Sequence, residues 1–394
     1  MTPTPTQSQL PCAHTPLWAD PQRQALFETW LQSLQTSHSL DPCSVRLASA
    51  DASFRRYLRI ESKAHHGQTT LIIMDAPPEL ENCKPFAAVA QLMAAAGLKV
   101  PQVLAWDEPN GFMLLTDLGT HTLAQVINPQ GSPPLNHYLD AVDALVQWQL
   151  ASREGVLPVY DQPLLLHELE LFPDWYVGQH RAFTLDASQR KVLDDAFAKI
   201  VVNNLSWPSV YVHRDFMPRN LMAPTLPTTC GSLPPEGAHF ALGRPGGEIL
   251  ASAPPSATRL GVLDFQDAVY GPITYDIASL MRDAFLSWEE DFCLDVTIRY
   301  WQKARKAGLP VGDDFGEFYK GVEWMGLQRH LRIAGVFARL TLRDGKPRYL
   351  ADTPRFIDYI RATCSRYMEL KPLLRLVERI EGIPVPTAFA FGRS

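Results

Sequence analysis

The spacing of apolar residues changes near Gly119, and this change restricts the folds that the chain can adopt. Before Gly119, short apolar runs such as residues 55–60 and 70–76 have the length and composition typical of strands. After it, apolar residues recur at helical spacing over long segments, including 135–152 and 188–205. The sequence therefore predicts an α+β protein in which a strand-rich part precedes a helix-rich part.

The strand-rich part is predicted to have the order β-β-β-α-β-β after one opening helix. The opening helix starts near Gln22, and the later helix spans 84–97 and ends at Gly97. A turn at 109–111 joins the last two strands. Helical patterns are also present in the second part of the chain over 276–308, 313–342 and 353–380.

Proline is frequent, with 33 residues in 394, but it is concentrated in two segments. Five prolines lie in residues 1–21, and seven lie in residues 223–260 together with five glycines. Proline removes a backbone donor and glycine raises the entropy lost on ordering, so neither segment is expected to form a regular element. Residues 1–21 are predicted to be a flexible tail, and residues 223–260 an inserted loop that projects outward.

Composition and charge argue against several classes of protein. The net charge of −6 argues against nucleic-acid binding through an overall positive field. No apolar run approaches the length of about eighteen residues that a membrane helix needs. The six cysteines lie far apart without a CxxC pair, which indicates neither a zinc cluster nor a disulfide framework and favours a reducing cytoplasm.

The segment VYVHRDFMPRNLM (210–222) contains His213, Asp215 and Asn220 directly after a short apolar run. A second acidic segment, VLDFQDA, brings Asp264 44 residues after Asn220. An Asp carboxylate can orient a hydroxyl or accept its proton, and Asn and Asp oxygens suit Mg²⁺ that is shared with substrate phosphates. Phosphoryl transfer needs this combination, because it depends on positioning and charge neutralisation.

Asp215 and Asn220 have a simpler interpretation when each is taken alone. Isolated Asp and Asn residues commonly cap helices or form turns. The order Asp, Asn, Asp, with strand-like residues before both acidic segments, favours the catalytic interpretation over the structural one.

On these residues, the chain resembles the aminoglycoside phosphotransferase and choline kinase superfamily, whose members are related to protein kinases. HRDFMPRN matches the family's catalytic loop, LDFQDA matches its metal-binding motif, and GPITYDIASL (271–280) matches the helix start that follows. The resemblance extends over about residues 25–375. It implies a bilobal, protein-kinase-like fold with a β-rich N lobe, an α-rich C lobe, and ATP and Mg²⁺ bound between them.

The resemblance also implies roles for individual residues. Asp215 is expected to be the catalytic base, with His213 supporting the loop that carries it. Asn220 and Asp264 are the expected Mg²⁺ ligands. Asp276 is expected to brace the catalytic loop and not to react.

The same resemblance sets the expected domain boundaries. Residues 22–118 are expected to form the nucleotide-binding N lobe, after the tail of residues 1–21. Residues 119–394 are expected to form the catalytic and acceptor-binding C lobe, with the proline-rich insert at 223–260 inside it.

Contacts to the nucleotide are expected in two places. Ser53 lies in a short polar link where kinases place a loop over the phosphates, but the link has no glycine and does not match a Gly-rich loop. Arg56 follows on a strand and points either at phosphate or into solvent. Three residues lie where the family's hinge passes the adenine, with an ordinary strand exit as the alternative: Thr116, Asp117 and Leu118.

The third strand lacks the lysine that general kinases use to hold the α- and β-phosphates. The corresponding run, LIIMDAPP, has Met74 near that position. Either another cation such as Arg56 or Lys84 substitutes, or the chain is a degenerate kinase. Retention of the three catalytic-loop and metal-binding residues favours substitution by another cation.

The segment ELELFPDWY (168–176) lies in the part of the chain where the superfamily keeps its acceptor pocket. Glu168, Glu170 and Trp175 combine carboxylates with an aromatic plane, which suits a sugar. Without the resemblance, a surface Glu pair beside a core Trp is the simpler interpretation. Four apolar residues of a later helix are expected in the core and not in the pocket: Trp324, Leu327, Leu331 and Phe337.

Several segments are similar to those of kinases that phosphorylate cell-wall amino sugars, namely DASFRRY, MDAPPE, LLTDLG, ELELFPDWY, HRDFMPRNLM and GLQRHLRIAGVFARL. This narrower resemblance implies a cytoplasmic enzyme that uses ATP to phosphorylate the anomeric hydroxyl of N-acetylmuramate or N-acetylglucosamine in cell-wall recycling. From the charge and the apolar runs of the chain, no nucleic-acid or membrane partner is expected. Two alternatives stay open: a kinase of another small hydroxylated acceptor, aminoglycoside-like or choline-like, and a non-catalytic nucleotide-binding protein.

Overall fold

The structure is a computed structural model that describes Trp18 and residues 20–50, 54–65, 68–224 and 260–384. Three of the sequence-based expectations concern residues that lie mostly outside this set. These are the flexible tail, the nucleotide contact at Ser53, and the outward course of the proline-rich insert.

Five strands form one antiparallel sheet in the order β1-β2-β3-β5-β4. Helix α1 (Pro21–Gln35) precedes the sheet, and α2 (Lys84–Ala95) separates the third strand from the fourth. The strands are β1 (Leu40–Ala50), β2 (Arg56–His65), β3 (Gln68–Asp75), β4 (Val103–Asp107) and β5 (Phe112–Thr116). The predicted β-β-β-α-β-β order is therefore confirmed.

Side chains alternate between the two faces of this sheet, as the pleat of a strand requires. Leu58 and Ile73 lie opposite each other on β2 and β3, and they share a buried core with Phe27 of α1. Arg59 and Ile72 lie opposite each other on the other face, which lines a cleft toward the helical part of the chain. The pleat thus decides which β2 side chains can meet a ligand in the cleft.

The chain is mainly helical from Leu123 onward. The helices are α3 (Leu123–Val126), α4 (Leu135–Leu150), α5 (Gln162–Leu171), α6 (Ala187–Leu205), α7 (Thr274–Met281), α8 (Glu290–Lys306), α9 (Phe315–Leu342), α10 (Thr353–Arg366) and α11 (Lys371–Ile380). Two short antiparallel pairs accompany them: β6 (Ser209–Val212) with β9 (Val269–Pro272), and β7 (Leu221–Met222) with β8 (Gly261–Val262). The lobe boundary between residues 118 and 119 falls between β5 and α3 and stays a prediction.

Two of the ranges with a helical pattern each contain two helices in the structure. The range 276–308 is interrupted between α7 and α8, where the carboxylate of Asp283 accepts the N–H of Phe285 at 3.2 Å. Such local side-chain bonds compete with the helical ladder. The range 353–380 is interrupted between α10 and α11, because Pro372 at the start of α11 cannot donate to a preceding turn. Each of these two helical patterns is thus divided between two helices.

Strands β7 and β8 hold the two ends of the proline-rich insert together. They pair antiparallel, and just beyond them the N–H of Leu263 donates to the carbonyl oxygen of Asn220 at 2.9 Å. The insert therefore leaves the fold from the end of a two-stranded ladder. Its length does not separate Asn220 from Asp264.

Helix α9 is buried along most of its length and forms the centre of the helical part. The four apolar residues assigned to the core are all buried, which confirms that assignment: Trp324, Leu327, Leu331 and Phe337. Gly335 lets α9 approach α5, since a Cβ there would lie 2.2 Å from the carbonyl oxygen of Leu171. None of the helices in the described part of the chain combines the length and apolar character that a bilayer span requires.

Candidate active site

The turn that follows β6 carries the predicted catalytic loop. Arg214 adopts φ 76°, a left-handed conformation that is uncommon for a residue with a side chain. The carboxylate of Asp276 on α7 accepts the N–H of His213 at 2.7 Å and the N–H of Arg214 at 3.0 Å. Asp276 therefore holds the backbone in place just before Asp215.

His213 is fully buried and its ring is held by two backbone groups. The Nδ1 atom accepts the N–H of Asp215 at 3.3 Å, so the proton resides on Nε2, which donates to the carbonyl oxygen of Leu263 at 2.9 Å. Burial lowers the pKa of His213 to about 4, despite the nearby carboxylate of Asp215. The ring is thus neutral at physiological pH and connects the loop of Asp215 to the segment that carries Asp264.

Replacing His213 by glutamine is expected to remove a pH-dependent part of the stability. The His213 pKa is lowered from 6.5 in the unfolded chain to about 4 in the folded protein. The stability that the neutral histidine contributes is therefore fully present above pH 6.5 and is lost as pH falls through about 4. Between these two limits, the contribution of His213 to the free energy of unfolding changes by about 3 kcal/mol. Burial raises the pKa of Asp276 to about 7. The contribution of Asp276 to the free energy of unfolding therefore falls as pH rises over the same range, opposite to that of His213.

The measurement that isolates His213 is urea unfolding of the wild type and His213→Gln between pH 4 and 7. Asp276 is present in both proteins, so its contribution cancels in the difference. The wild type should gain stability over the variant as pH rises to 6.5. A difference that does not change with pH would contradict the neutral, buried His213.

The carboxylate of Asp215 lies beside two arginines of α9. Its Oδ1 atom is 3.8 Å from Arg329, and 32% of the Asp215 side chain is exposed. Burial opposes ionisation, but the charges of Arg332 and Arg329 outweigh it, so the pKa of Asp215 lies below its usual range. Asp215 is therefore ionised at neutral pH and can accept a proton.

The predicted metal ligands, Asn220 and Asp264, are in direct contact. The Nδ2 atom of Asn220 donates to the backbone oxygen of Asp215 at 2.9 Å and to Oδ2 of Asp264 at 3.2 Å. Gln266 donates to the other carboxylate oxygen of Asp264 at 2.9 Å. Asp264 has φ 63°, so the backbone is held in a strained conformation where it presents this carboxylate.

The donor set at this pair fits Mg²⁺. Both donations from Asn220 come from Nδ2, which leaves its Oδ1 atom as the oxygen that can face a metal ion. No group of three or more His, Cys, Asp or Glu side chains suited to a metal ion occurs within the described residues. Two oxygen ligands beside a cleft suit Mg²⁺, which usually keeps waters and is shared with phosphates.

A cleft of about 280 Å³ lies between the sheet and the helical part. Asn220 and Asp264 line its floor, together with the segment of Thr116, Asp117 and Leu118 that was predicted to pass the adenine. The side chain of Asp117 is engaged within the protein, since it accepts from Arg59 at 2.6 Å and Thr70 at 2.7 Å. The backbone groups of this segment are thus the ones that remain suitable for reading a base.

The two cations proposed to replace the third-strand lysine do not line the cleft. Arg56 donates to Asp75 at 3.0 Å on the α1 face of the sheet, and its guanidinium lies 4.1 Å from the ring of Trp18. Lys84 is exposed and pairs with Glu108 at 2.9 Å. Arg56 therefore lies on the face of the sheet opposite the described cleft, because the two-residue period turns its side chain there.

The described cleft lining contains two other arginines instead. Arg59 lies on the cleft face of β2, but its guanidinium is bonded to Asp117 and to the carbonyl oxygen of Gly119 at 2.7 Å. Arg219 precedes Asn220 in the chain and lies 4.7 Å from the ring of Phe285. Its position beside the predicted metal ligands makes Arg219 the cation better placed to meet a phosphate.

The predicted acceptor residues are not all brought together. Glu168 is buried and accepts from Arg214, Tyr160 and Gln328. Glu170 points away from it and pairs with Arg190 at 2.6 Å, since residues two apart on a helix do not share a face. Trp175 packs partly buried against the main core. The structure thus links only Glu168 to the catalytic loop.

Several polar residues near Asp215 were not predicted from the sequence: Tyr160, Gln328, Arg329 and Arg332. Three of them lie in the GLQRHLRIAGVFARL segment, whose apolar residues were assigned to the core. The signal was present, because arginines on a helix that is otherwise buried must find partners. Their spacing of three residues places Arg329 and Arg332 on one face.

A five-stranded sheet, a helical lobe and a carboxylate loop facing the cleft between them define a protein-kinase-like phosphotransferase. The family described as "Phosphotransferase enzyme family" matches residues 44–227 and 249–314, and the chain belongs to this family. It is accordingly a small-molecule kinase, as the resemblance implied.

Relatives of known name match most of the chain. The N-acetylmuramate/N-acetylglucosamine kinase of Neisseria meningitidis is 43% identical over 94% of this chain and 100% of that protein. The kinase of the same name from Pseudomonas putida is 42% identical over 86% of this chain and 88% of that protein. The one from Caulobacter vibrioides is 31% identical over 79% and 85%, respectively.

Solved structures share the fold at low sequence identity. The choline kinase of Cryptosporidium parvum aligns with a TM-score of 0.55 at 10% identity, covering 89% of this chain and 99% of that chain. The ethanolamine kinase of Plasmodium vivax aligns with a TM-score of 0.54 at 10% identity, covering 88% and 91%. These alignments confirm the predicted protein-kinase-like fold.

Proposed function

We propose that the chain is an ATP-dependent kinase that phosphorylates the anomeric hydroxyl of N-acetylmuramate and N-acetylglucosamine in cytoplasmic cell-wall recycling. The observation that carries the proposal is the ionised carboxylate of Asp215, which lies between the Asn220–Asp264 pair and the arginines of α9. The names of relatives that are 42–43% identical over most of the chain support the choice of acceptor.

In this proposal Asp215 positions the sugar hydroxyl and takes its proton. The low pKa of Asp215 keeps the carboxylate ionised at neutral pH, so it is ready to accept a hydrogen bond from the hydroxyl. As the proton moves to Asp215, the sugar oxygen bonds to the terminal phosphorus and the bond to the leaving ADP oxygen breaks. The turn braced by Asp276 fixes where this carboxylate stands.

The remaining assignments follow from the lining of the cleft. Oδ1 of Asn220 and the carboxylate of Asp264 hold Mg²⁺, which when bound neutralises charge on the triphosphate. Backbone groups of residues 116–118 read the adenine edge, and Arg219 supplies the positive charge that the third strand lacks. Met74 is uncharged and buried in the core, so position 74 supplies no cation.

The test is ADP release by the purified chain with Mg-ATP and a panel of acceptors. N-acetylmuramate and N-acetylglucosamine should stimulate release strongly, while an aminoglycoside and choline should not. Faster turnover of either control acceptor would favour the other small-molecule kinases. Binding of Mg-ATP without turnover on any acceptor would favour a non-catalytic nucleotide-binding protein.

A further inference from the structure

Arg329 is a buried cation whose hydrogen-bonding capacity is not used. Its side chain is 0% exposed, and its three guanidinium nitrogens have no hydrogen-bond partner within the described residues. Its nearest anion is the carboxylate of Asp215 at 3.8 Å, and Tyr275 lies under the guanidinium at 5.5 Å. An unpaired buried guanidinium is costly, and Asp215 supplies the nearest opposite charge that offsets this cost.

Arg332 lies one turn further along α9 and is held differently. Its Nε atom is 3.3 Å from Oε1 of Glu168, and 19% of its side chain is exposed. Both carboxylate oxygens of Glu168 are already engaged, because Glu168 also accepts hydrogen bonds from Arg214, Tyr160 and Gln328. Arg332 makes no other ion pair or hydrogen bond in the part of the chain that the structure describes. Its outer nitrogens therefore have no protein partner among the described residues.

Opposite charges pack closely around Asp215. Arg214, Arg329 and Arg332 face the carboxylates of Glu168 and Asp215. Among these arginines, the charge of Arg332 lowers the pKa of Asp215 most, so Arg332 lies beside the carboxylate that is proposed to meet the sugar hydroxyl. Its partial exposure leaves Arg332 accessible to a ligand bound there.

The two proposed acceptors differ in this respect. N-acetylmuramate carries a lactyl group with a carboxylate, whereas N-acetylglucosamine has a neutral hydroxyl at the same carbon. With the reacting hydroxyl at Asp215, a carboxylate elsewhere on the same ring is within reach of a neighbouring guanidinium. On the basis of the proposed function, we propose that Arg332 binds the lactyl carboxylate of N-acetylmuramate and sets the preference between the two sugars.

The partial exposure of Arg332 explains how both sugars can be accepted. When N-acetylglucosamine is bound, water can satisfy the outer nitrogens of Arg332, so the absence of a carboxylate costs little. Arg329 cannot play this part, because it is fully buried and lies against Asp215. The orientation of Arg332 is set by Glu168, which makes Glu168 a positioning residue in place of a direct sugar ligand.

The test is the ratio of kcat/KM for N-acetylmuramate to kcat/KM for N-acetylglucosamine. In Arg332→Gln this ratio should fall by about 10- to 100-fold, the size of a charge-assisted hydrogen bond. Arg332→Lys keeps the charge and should recover part of the ratio. The matched control is Arg343→Gln at the end of the same helix, where the arginine is exposed and bonded to Asp344 at 2.7 Å, and where the ratio should not change.

A second measurement needs no variant and so does not depend on folding. The methyl ester of N-acetylmuramate lacks the charge, and the wild type should lose about the same factor on it as Arg332→Gln loses on the acid. Arg332→Gln should show no further loss on the ester. Equal falls for both sugars in Arg332→Gln, or full activity of the wild type on the ester, would overturn the assignment. A wild type that phosphorylates neither sugar would instead overturn the proposed function.

Discussion

Asp215→Asn is expected to lower kcat for both wall sugars by about 10²- to 10⁴-fold, the usual contribution of a general base. Asparagine has the same size, so the loop held by Asp276 should keep its shape. The amide cannot accept the proton of the sugar hydroxyl, and it removes the anion nearest to Arg329. The measurement is steady-state ADP release at saturating ATP and sugar.

The control for this variant is Asp313→Asn, which also removes one negative charge. Asp313 is 92% exposed and pairs with Arg305, far along the chain from the catalytic loop. It should retain wild-type kcat. If Asp215→Asn folds, binds Mg-ATP and still turns over at a wild-type rate, Asp215 is not the base.

Asp264→Asn is expected to lower activity by at least about 10²-fold at ordinary Mg²⁺ concentrations, because a charged metal ligand becomes neutral. The variant should need more Mg²⁺ to reach half of its maximal rate, since affinity depends on the charge of the ligands. Asn220 and the backbone bond from Leu263 should stay in place, so the cleft should still form. A Mg²⁺ titration of the rate measures both effects.

The matched control for this variant is Gln266→Leu. Gln266 donates to Asp264 at 2.9 Å but is not one of the two predicted Mg²⁺ ligands. Its replacement should therefore change the Mg²⁺ requirement less than Asp264→Asn does. If the Mg²⁺ requirement were unchanged in Asp264→Asn but raised in Gln266→Leu, the assignment of Asp264 as the Mg²⁺ ligand would be contradicted.

The parts of the fold that the sequence predicts well are those that depend on local periodicity. The order of strands and helices along the first part of the chain and the core residues of α9 follow from the spacing of apolar residues. The divided helices at 276–308 and 353–380 do not, because they are interrupted by a side-chain bond from Asp283 and by the backbone of Pro372. The spacing of apolar residues does not predict such interruptions.

The candidate site is likewise predicted only in part from the sequence. The motif around Asp215 identifies the residues that stand close in sequence, and the structure brings Asn220 and Asp264 into contact despite the insert. The two-residue period allows Arg56 to lie on either face of the sheet, and only the position of α1 decides which face is covered. The arginines of α9 reach Asp215 through tertiary packing, which one sequence does not reveal.

The measurement that tests the central claim most directly is phosphorus NMR of the product formed from N-acetylmuramate and Mg-ATP. The account predicts a single sugar phosphate with the phosphoryl group on the anomeric oxygen, formed by the wild type and absent with Asp215→Asn over the same time. A phosphoryl group on any other hydroxyl, or the same product formed at the same rate by Asp215→Asn, would contradict it.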